Sequence, residues 1–297
     1  MERSAQGGER DKRVIRFRAF ARESVDCLPD RSQNSRSVQG KPKPGSLRRE
    51  RWGCAEVEVF ETREALGAAA AEAAAVALKE ALAHGSARLI VATGNSQLET
   101  IANLTRKPGI EWSRVEVFHM DEYVGLPGGH PASFRRWIEE KLTKVAHPGR
   151  VNYLDGNAPD LAAECARYAS LLRAADIHLC LLGIGENGHI AFNDPHEADF
   201  KDPLDVKLVT LDAACRRQQV GEGHFRSLED VPTRALTLTV PALLRAERLI
   251  ASVPERRKAE AVRKAIRGPL SPACPASVLR SHPQAAIALD LESASLL

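Results

Sequence analysis

The sequence predicts an α/β protein, a three-layer, doubly wound, mostly parallel sheet with helices on both faces. Three observations predict it. Short apolar runs (RLIVA, IHLCLLG, ERLIASV) alternate with longer Ala-rich or amphipathic stretches, as buried strands alternate with crossover helices. Glycine-bearing turns close several of these runs, among them TGNS at 93–96 and GIGENG at 183–188. The 297 residues, 43% hydrophobic and 27% charged, carry enough apolar surface for one large domain.

Each element follows from local pattern. Glu56 to Phe60 (EVEVF) alternates as a strand, and Thr62 is placed to cap the Ala-rich helix that Gly85 ends. RLIVA, a glycine turn and the short helix QLETIANL come next. VEVFHM, a polar loop and the helix PASFRRWIEEKL follow, then VNYL and the helix LAAECARYASLLRAA. The second half continues with IHLCLLG, VKLVTL, RALTLTV and ERLIASV, the helix PERRKAEAVRKAIRG and a closing strand AAIALD. No linker interrupts residues 54–297, which are expected to form a single domain.

Residues 1–53 differ in kind. They hold 14 Lys and Arg against 7 Asp and Glu, a net +7 in a chain of net +3, so the remainder is net −4. This basic, Ser, Gly and Pro rich segment has little apolar periodicity and is expected to be a disordered N-terminal extension. Its acids argue against a mitochondrial transit peptide, and nucleic acid is not an expected partner because no helix-turn-helix pattern accompanies the charge. No apolar run reaches the ~20 residues of a membrane helix, and no signal-peptide core is visible, so no membrane partner and a cytoplasmic location are expected. The six cysteines lack any C-x-x-C pair, which predicts neither a disulfide framework nor a zinc site.

In such a sheet ligands gather at the carboxyl ends of the strands, and three loops there are unusual. Gly94, Asn95 and Ser96 form a glycine turn into a helix, suited to an anion or, alternatively, to a plain N-cap by Ser96. Asp121 and Glu122 end the VEVFHM run, where one acid can serve as a general base; the alternative is a cap or solvated turn. GIGENGHIAFNDP satisfies G-x-G-x-x-G but stops at Pro195 without a long helix, so a dinucleotide cradle is not predicted. It places His189 close to Asn187 and Asp194, a set fit for proton transfer near neutral pH, or for a turn histidine bonded to backbone.

TGNS, VFHMDEYVGLPGGHPASF and GIGENGHIAFNDP, in this order, together with LTVPALLRAERLI and ERRKAEAVRKAIRG, resemble the glucosamine-6-phosphate deaminase (isomerase) family. The resemblance covers residues 55–297, and the related 6-phosphogluconolactonases share the glycine turns but typically carry DER in place of DEY. It implies that Asp121 moves a proton between C1 and C2 of an opened amino-sugar phosphate, and that His189 assists ring opening with Asn187 and Asp194 beside it. It implies further that Gly94, Asn95, Ser96 and Lys258 hold the phosphate of a small-molecule sugar phosphate, with no metal and no cofactor. Members occur as monomers and as homo-oligomers.

This sequence departs from the family in three places. Asn187 stands for a carboxylate, so it can orient the imidazole but not stabilise an imidazolium by charge. Asp194 stands for a glutamate. Gly223 falls where the family has a phosphate-binding arginine, for which Arg216 or Arg217 on the preceding helix are the candidate substitutes. Deamination with isomerisation is therefore the expected reaction. The alternatives are lactone hydrolysis on the same scaffold and a catalytically weak sugar-phosphate sensor.

Overall fold

The structure, a computed structural model, describes Arg36–Ser37 and residues 45–297. In chain order, β1 (Arg36–Ser37), β2 (Ser46–Trp52) and β3 (Ala55–Phe60) lead into α1 (Arg63–Ala83) and β4 (Ala87–Val91). Then come α2 (Leu98–Leu104), β5 (Val115–His119), β6 (Asp121–Tyr123), α3 (Phe134–Ile138), α4 (Lys144–Ala146), β7 (Arg150–Asn152) and α5 (Leu161–Arg173). The second half holds β8 (Leu179–Leu182), β9 (Val206–Thr210), α6 (Ala213–Gly221), β10 (Arg234–Leu238), α7 (Val240–Leu244), β11 (Arg248–Val253), α8 (Ala259–Arg267) and β12 (Ala285–Asp290).

The main sheet has the order β1-β2-β3-β12-β11-β8-β4-β5-β7, parallel from β3 to β7. Its two faces are buried in two separate cores, as a parallel sheet between helix layers requires. On β4, Leu89 and Val91 pack with the Ala-rich face of α1, whereas Ile90 points into the core that contains Val262, Ala265 and Ile266 of α8. Thr62 caps α1 as expected, its hydroxyl accepting from Ala65 N at 3.1 Å. The chain proceeds outward from β4 to β5 and β7, then returns to lay β8 on the other side of β4. That reversal opens a crevice at the carboxyl ends of β4 and β8, where the TGNS and GIGENG turns emerge.

Two expectations are corrected. VKLVTL and RALTLTV do not extend the main sheet; β9 and β10 join β6 in a second, three-stranded antiparallel sheet of order β6-β10-β9. Their alternation is that of any half-buried strand, and the choice of partner is non-local. Secondly, order begins before Cys54. Ser46–Trp52 is a strand paired antiparallel with β3, and it buries Trp52 to 7% exposure. Its charged side chains suit a strand next to the sheet edge: Arg49 Nη2 bonds both carboxylate oxygens of Glu56, at 2.7 Å to Oε2, and Trp52 Nε1 donates to Glu50 Oε2 at 2.9 Å. The expectation of disorder for residues 1–35 and 38–44 lies outside the described residues. No helix of the described residues is long and apolar enough to cross a membrane.

Candidate active site

A solvent-open cleft lies over the crevice, and it gathers the loops after β4, β5, β8 and β11. Gly94, Asn95, Ser96, Asp121, His189 and Lys258 all line it. Asn187 and Asp194 stand behind His189. Thus the eight residues that the family resemblance assigns to the site fall at or directly beside one cleft.

The candidate anion cradle is a one-turn 3-10 helix over Asn95–Gln97 in front of α2, with Gly94 at φ 88°. Its first bonded amide is Gln97 N, at 3.2 Å from Gly94 O, so the amides of Asn95 and Ser96 precede the first helical hydrogen bond. Ser96 is not an N-cap. Its hydroxyl instead accepts from Gln97 Nε2 at 3.1 Å, and Gln97 Nε2 also donates to Leu182 O at 3.0 Å, which ties the cradle to β8. Lys258 enters from the turn after β11 with its side chain 5% exposed, and burial pulls its pKa below the usual lysine range. Glu255, three residues earlier, holds φ 84°, a conformation that non-glycine residues seldom adopt and that clusters at functional sites.

Asp121 and Glu122 diverge in role, as neighbouring strand residues on opposite faces do. Asp121 faces the cleft, and burial together with the adjacent Glu122 charge pushes its carboxyl well above the usual range. Glu122 turns away and becomes an internal cap for α3: it accepts from Tyr123 N, Ser133 Oγ, Phe134 N and Arg135 N at 2.8 to 3.2 Å. Burial raises its pKa too, but these four donors oppose the shift. Tyr123, fully buried, donates to Gln219 Oε1 at 2.8 Å and so links the base-bearing strand to α6.

The histidine relay has a direction that its partners fix. Asn187 Oδ1 lies 2.8 Å from His189 Nδ1 and also accepts from His189 N at 3.0 Å. Asn187 Nδ2 donates to Asp194 Oδ1 and to Asp212 Oδ2, each at 2.9 Å. Flipping the amide would press its oxygen against two carboxylates, so the oxygen must face the ring, and the ring must carry its proton on Nδ1. In a neutral ring the lone pair is then on Nε2. Burial raises the Asp194 pKa, but His189, Asn187 and the Asp212 amide outweigh it and hold it below the usual range. Gly185 is required beside this ring, since a Cβ there would stand 2.1 Å from His189 Cε1. The second glycine of the motif thus makes room for a histidine and not for a pyrophosphate.

Three findings lay beyond local pattern. Neither candidate arginine reaches the cradle: Arg216 Nη2 bonds Leu228 O and Val231 O, and Arg217 is exposed on α6. Gln218, Gln219 and Glu222 of the same segment line the cleft instead. Asp212, which caps α6 through Cys215 N, also braces Asn187. Finally, folding brings together donor sets that sequence spacing did not offer, His189 with Asp194 and Cys215, and Asp194 with His196 and Asp212. Asp194 is already engaged by Asn187 and by Asp212 N, and burial pushes the Cys215 thiol well above its usual range.

A glycine turn with backbone amides ahead of its first helical bond, a buried carboxyl and a histidine, set at the switch point of a doubly wound sheet, form a cleft of the kind suited to proton transfer on a small anionic ligand. Residues 61–288 match the model of the family described as glucosamine-6-phosphate isomerases/6-phosphogluconolactonase, and the chain belongs to this family. It is 36% identical over 248 residues to a glucosamine-6-phosphate deaminase of Arthrobacter sp. (strain FB24), covering 82% of this chain and 92% of that one. It is 35% identical over 221 residues to the corresponding protein of Streptococcus uberis, covering 74% and 92%. Among solved structures it resembles a monomeric glucosamine-6-phosphate deaminase with a TM-score of 0.75 and 33% identity, over 81% of this chain and 99% of that one. A 6-phosphogluconolactonase from Thermotoga maritima shares the fold, with a TM-score of 0.66 at 19% identity over 80% and 99%.

Proposed function

We propose that the chain converts glucosamine 6-phosphate and water to fructose 6-phosphate and ammonia. The observation that carries this reading is the placement of Asp121, buried and proton-avid, in one cleft with the Gly94–Ser96 turn and Lys258. The turn amides and the lysine charge bind the 6-phosphate and so fix the distance from phosphate to the reacting end of the sugar. His189 Nε2, with the Nδ1 proton held by Asn187, exchanges a proton with the ring oxygen and O1 as the pyranose opens.

Asp121 then takes the C2 proton of the open aldehyde while O1 gains a proton, giving an enol with nitrogen still on C2. Return of the proton to C1 leaves an iminium at C2, and water adds there and expels ammonia, yielding the ketose. One water is consumed for each ammonia. A carboxyl with a raised pKa suits both halves of this step, because it holds the proton between abstraction and return. We assign the protein to amino-sugar metabolism on the same grounds.

The test is a panel of hexosamine and hexose 6-phosphates, with 6-phosphogluconolactone, assayed for ammonia, ketose and acid. Ammonia and fructose 6-phosphate in equal amounts support the reading. Acid from the lactone without ammonia from any hexosamine phosphate would replace it with hydrolysis.

A further inference from the structure

Glu222 stands inside the anion cradle, and the reaction above gives it no role. Its Oε1 is 3.5 Å from Lys258 Nζ and accepts from Gln218 Nε2 at 2.8 Å. Its Oε2 is 3.4 Å from His224 Nε2 and 3.9 Å from the position of a Cβ on Gly94. Among the described residues lining the cleft, Lys258 is the only lysine or arginine, and an internal carboxylate already neutralises it.

A phosphate in this cradle would share Lys258 with Glu222 in surroundings that screen poorly, where like charges cannot both be accommodated. Protonation does not relieve the conflict. Burial alone would push the Glu222 carboxyl up, yet His224, Lys258, Gln218 and Arg257 outweigh it and hold the pKa at about 2. The carboxylate must therefore move, and the chain permits it. Glu222 lies between Gly221, the last residue of α6, and Gly223, which has φ 80° and open space around its missing Cβ.

Resting on the phosphate reading of the cleft, we infer that Glu222 is a displaceable counter-ion: it occupies Lys258 in the empty site and is expelled by the substrate's phosphate. The device sets specificity. A monoanionic carboxylate would only exchange one charge for another at Lys258, whereas a phosphate dianion brings more charge than it displaces.

The test is calorimetric binding of inorganic phosphate, fructose 6-phosphate and unphosphorylated fructose to wild type, Glu222→Gln and Glu222→Asp. Glu222→Gln should bind both phosphates at least about tenfold more tightly. The KM for glucosamine 6-phosphate should fall in parallel. Glu222→Asp, which keeps the charge, should stay near wild type, and fructose binding should not change. Unchanged or weaker phosphate binding by Glu222→Gln overturns the inference, as does equal tightening by Glu222→Asp. If Glu222→Gln does not fold, Glu222→Ser carries the same expectation. Tightening in a protein that releases no ammonia would sink the proposed reaction and leave the counter-ion standing; ammonia release with no tightening would do the reverse.

Discussion

Asn187 Oδ1 and His189 Nδ1 are 2.8 Å apart, and the amide that makes this contact is pinned from behind by Asp194 and Asp212. The asparagine is thus more than a neutral stand-in for an acid. It donates two hydrogens to two carboxylates while accepting from the ring, a combination that an aspartate cannot supply.

Asn187→Asp should therefore destabilise the protein, by about 1 to 3 kcal/mol at pH 7, because it sets a third carboxylate 2.9 Å from two others. The cluster would hold a proton more tightly folded than unfolded, so its stability is retained at low pH and lost as pH rises. Thermal melts should show the deficit shrinking between pH 7 and pH 5. A variant as stable as wild type at pH 7 would show that the amide hydrogens contribute nothing.

Asp121→Asn should stabilise the protein while abolishing activity. The folded-state pKa of Asp121 is raised, so folding favours the protonated form. That contribution is intact below the usual carboxylate range and is lost as pH climbs through it toward the folded value. The asparagine does not titrate, and its advantage should grow from pH 4 to pH 7 to roughly 1 to 3 kcal/mol, the cost of an uncompensated buried group. Equal melting temperatures at both pH values would mean that the carboxyl is hydrated and not proton-avid. The same shift predicts activity that rises with pH as the base ionises.

Lys258→Ala should weaken phosphate-dependent binding by about 1.5 to 3 kcal/mol, the worth of a charge-assisted contact. It should also cost about 1 to 3 kcal/mol of stability, since the Lys258 and Glu222 side chains are 5% and 8% exposed and the buried carboxylate would keep only Gln218, His224 and Arg257 as partners. Adding Glu222→Gln should return at least half of that stability without restoring phosphate affinity. Urea denaturation of both variants separates the two effects, and an additive double variant would refute the pairing.

Removing residues 1–52 should lower the melting temperature more than removing residues 1–44, because only the longer deletion takes away β2. Loss of buried Trp52 alone is worth about 3 kcal/mol or more. Identical melting curves would mean that β2 adds nothing to the sheet.

The parallel sheet was legible because strands buried on both faces have few compositions open to them, and RLIVA and ERLIASV show it. Asp121 and His189 stood out because they follow strands within distinctive motifs, whereas Lys258, one of several helix lysines by local pattern, stood out only through the family resemblance. SLRRERW was not legible, since a strand next to the sheet edge, flanked by β3 and by the two-residue β1, can carry charge at nearly every position and still satisfy its backbone. Glu222 was hidden for another reason. Its significance lies in contacts with Gly94 and Lys258, 128 residues before it and 36 after, and nothing within its own segment marks a carboxylate bound for an anion site.

Whether Asp121 moves the C2 proton of glucosamine 6-phosphate is tested most directly with solvent deuterium. Wild type and Asp121→Asn are incubated with the substrate in deuterium oxide, and the sugar phosphates are recovered for mass spectrometry alongside an ammonia assay. That role for Asp121 predicts ammonia, fructose 6-phosphate and deuterium at C1 or C2 with wild type, and none of these with Asp121→Asn even when the variant is saturated with substrate. Deuterium incorporation by Asp121→Asn at the wild-type rate would contradict it.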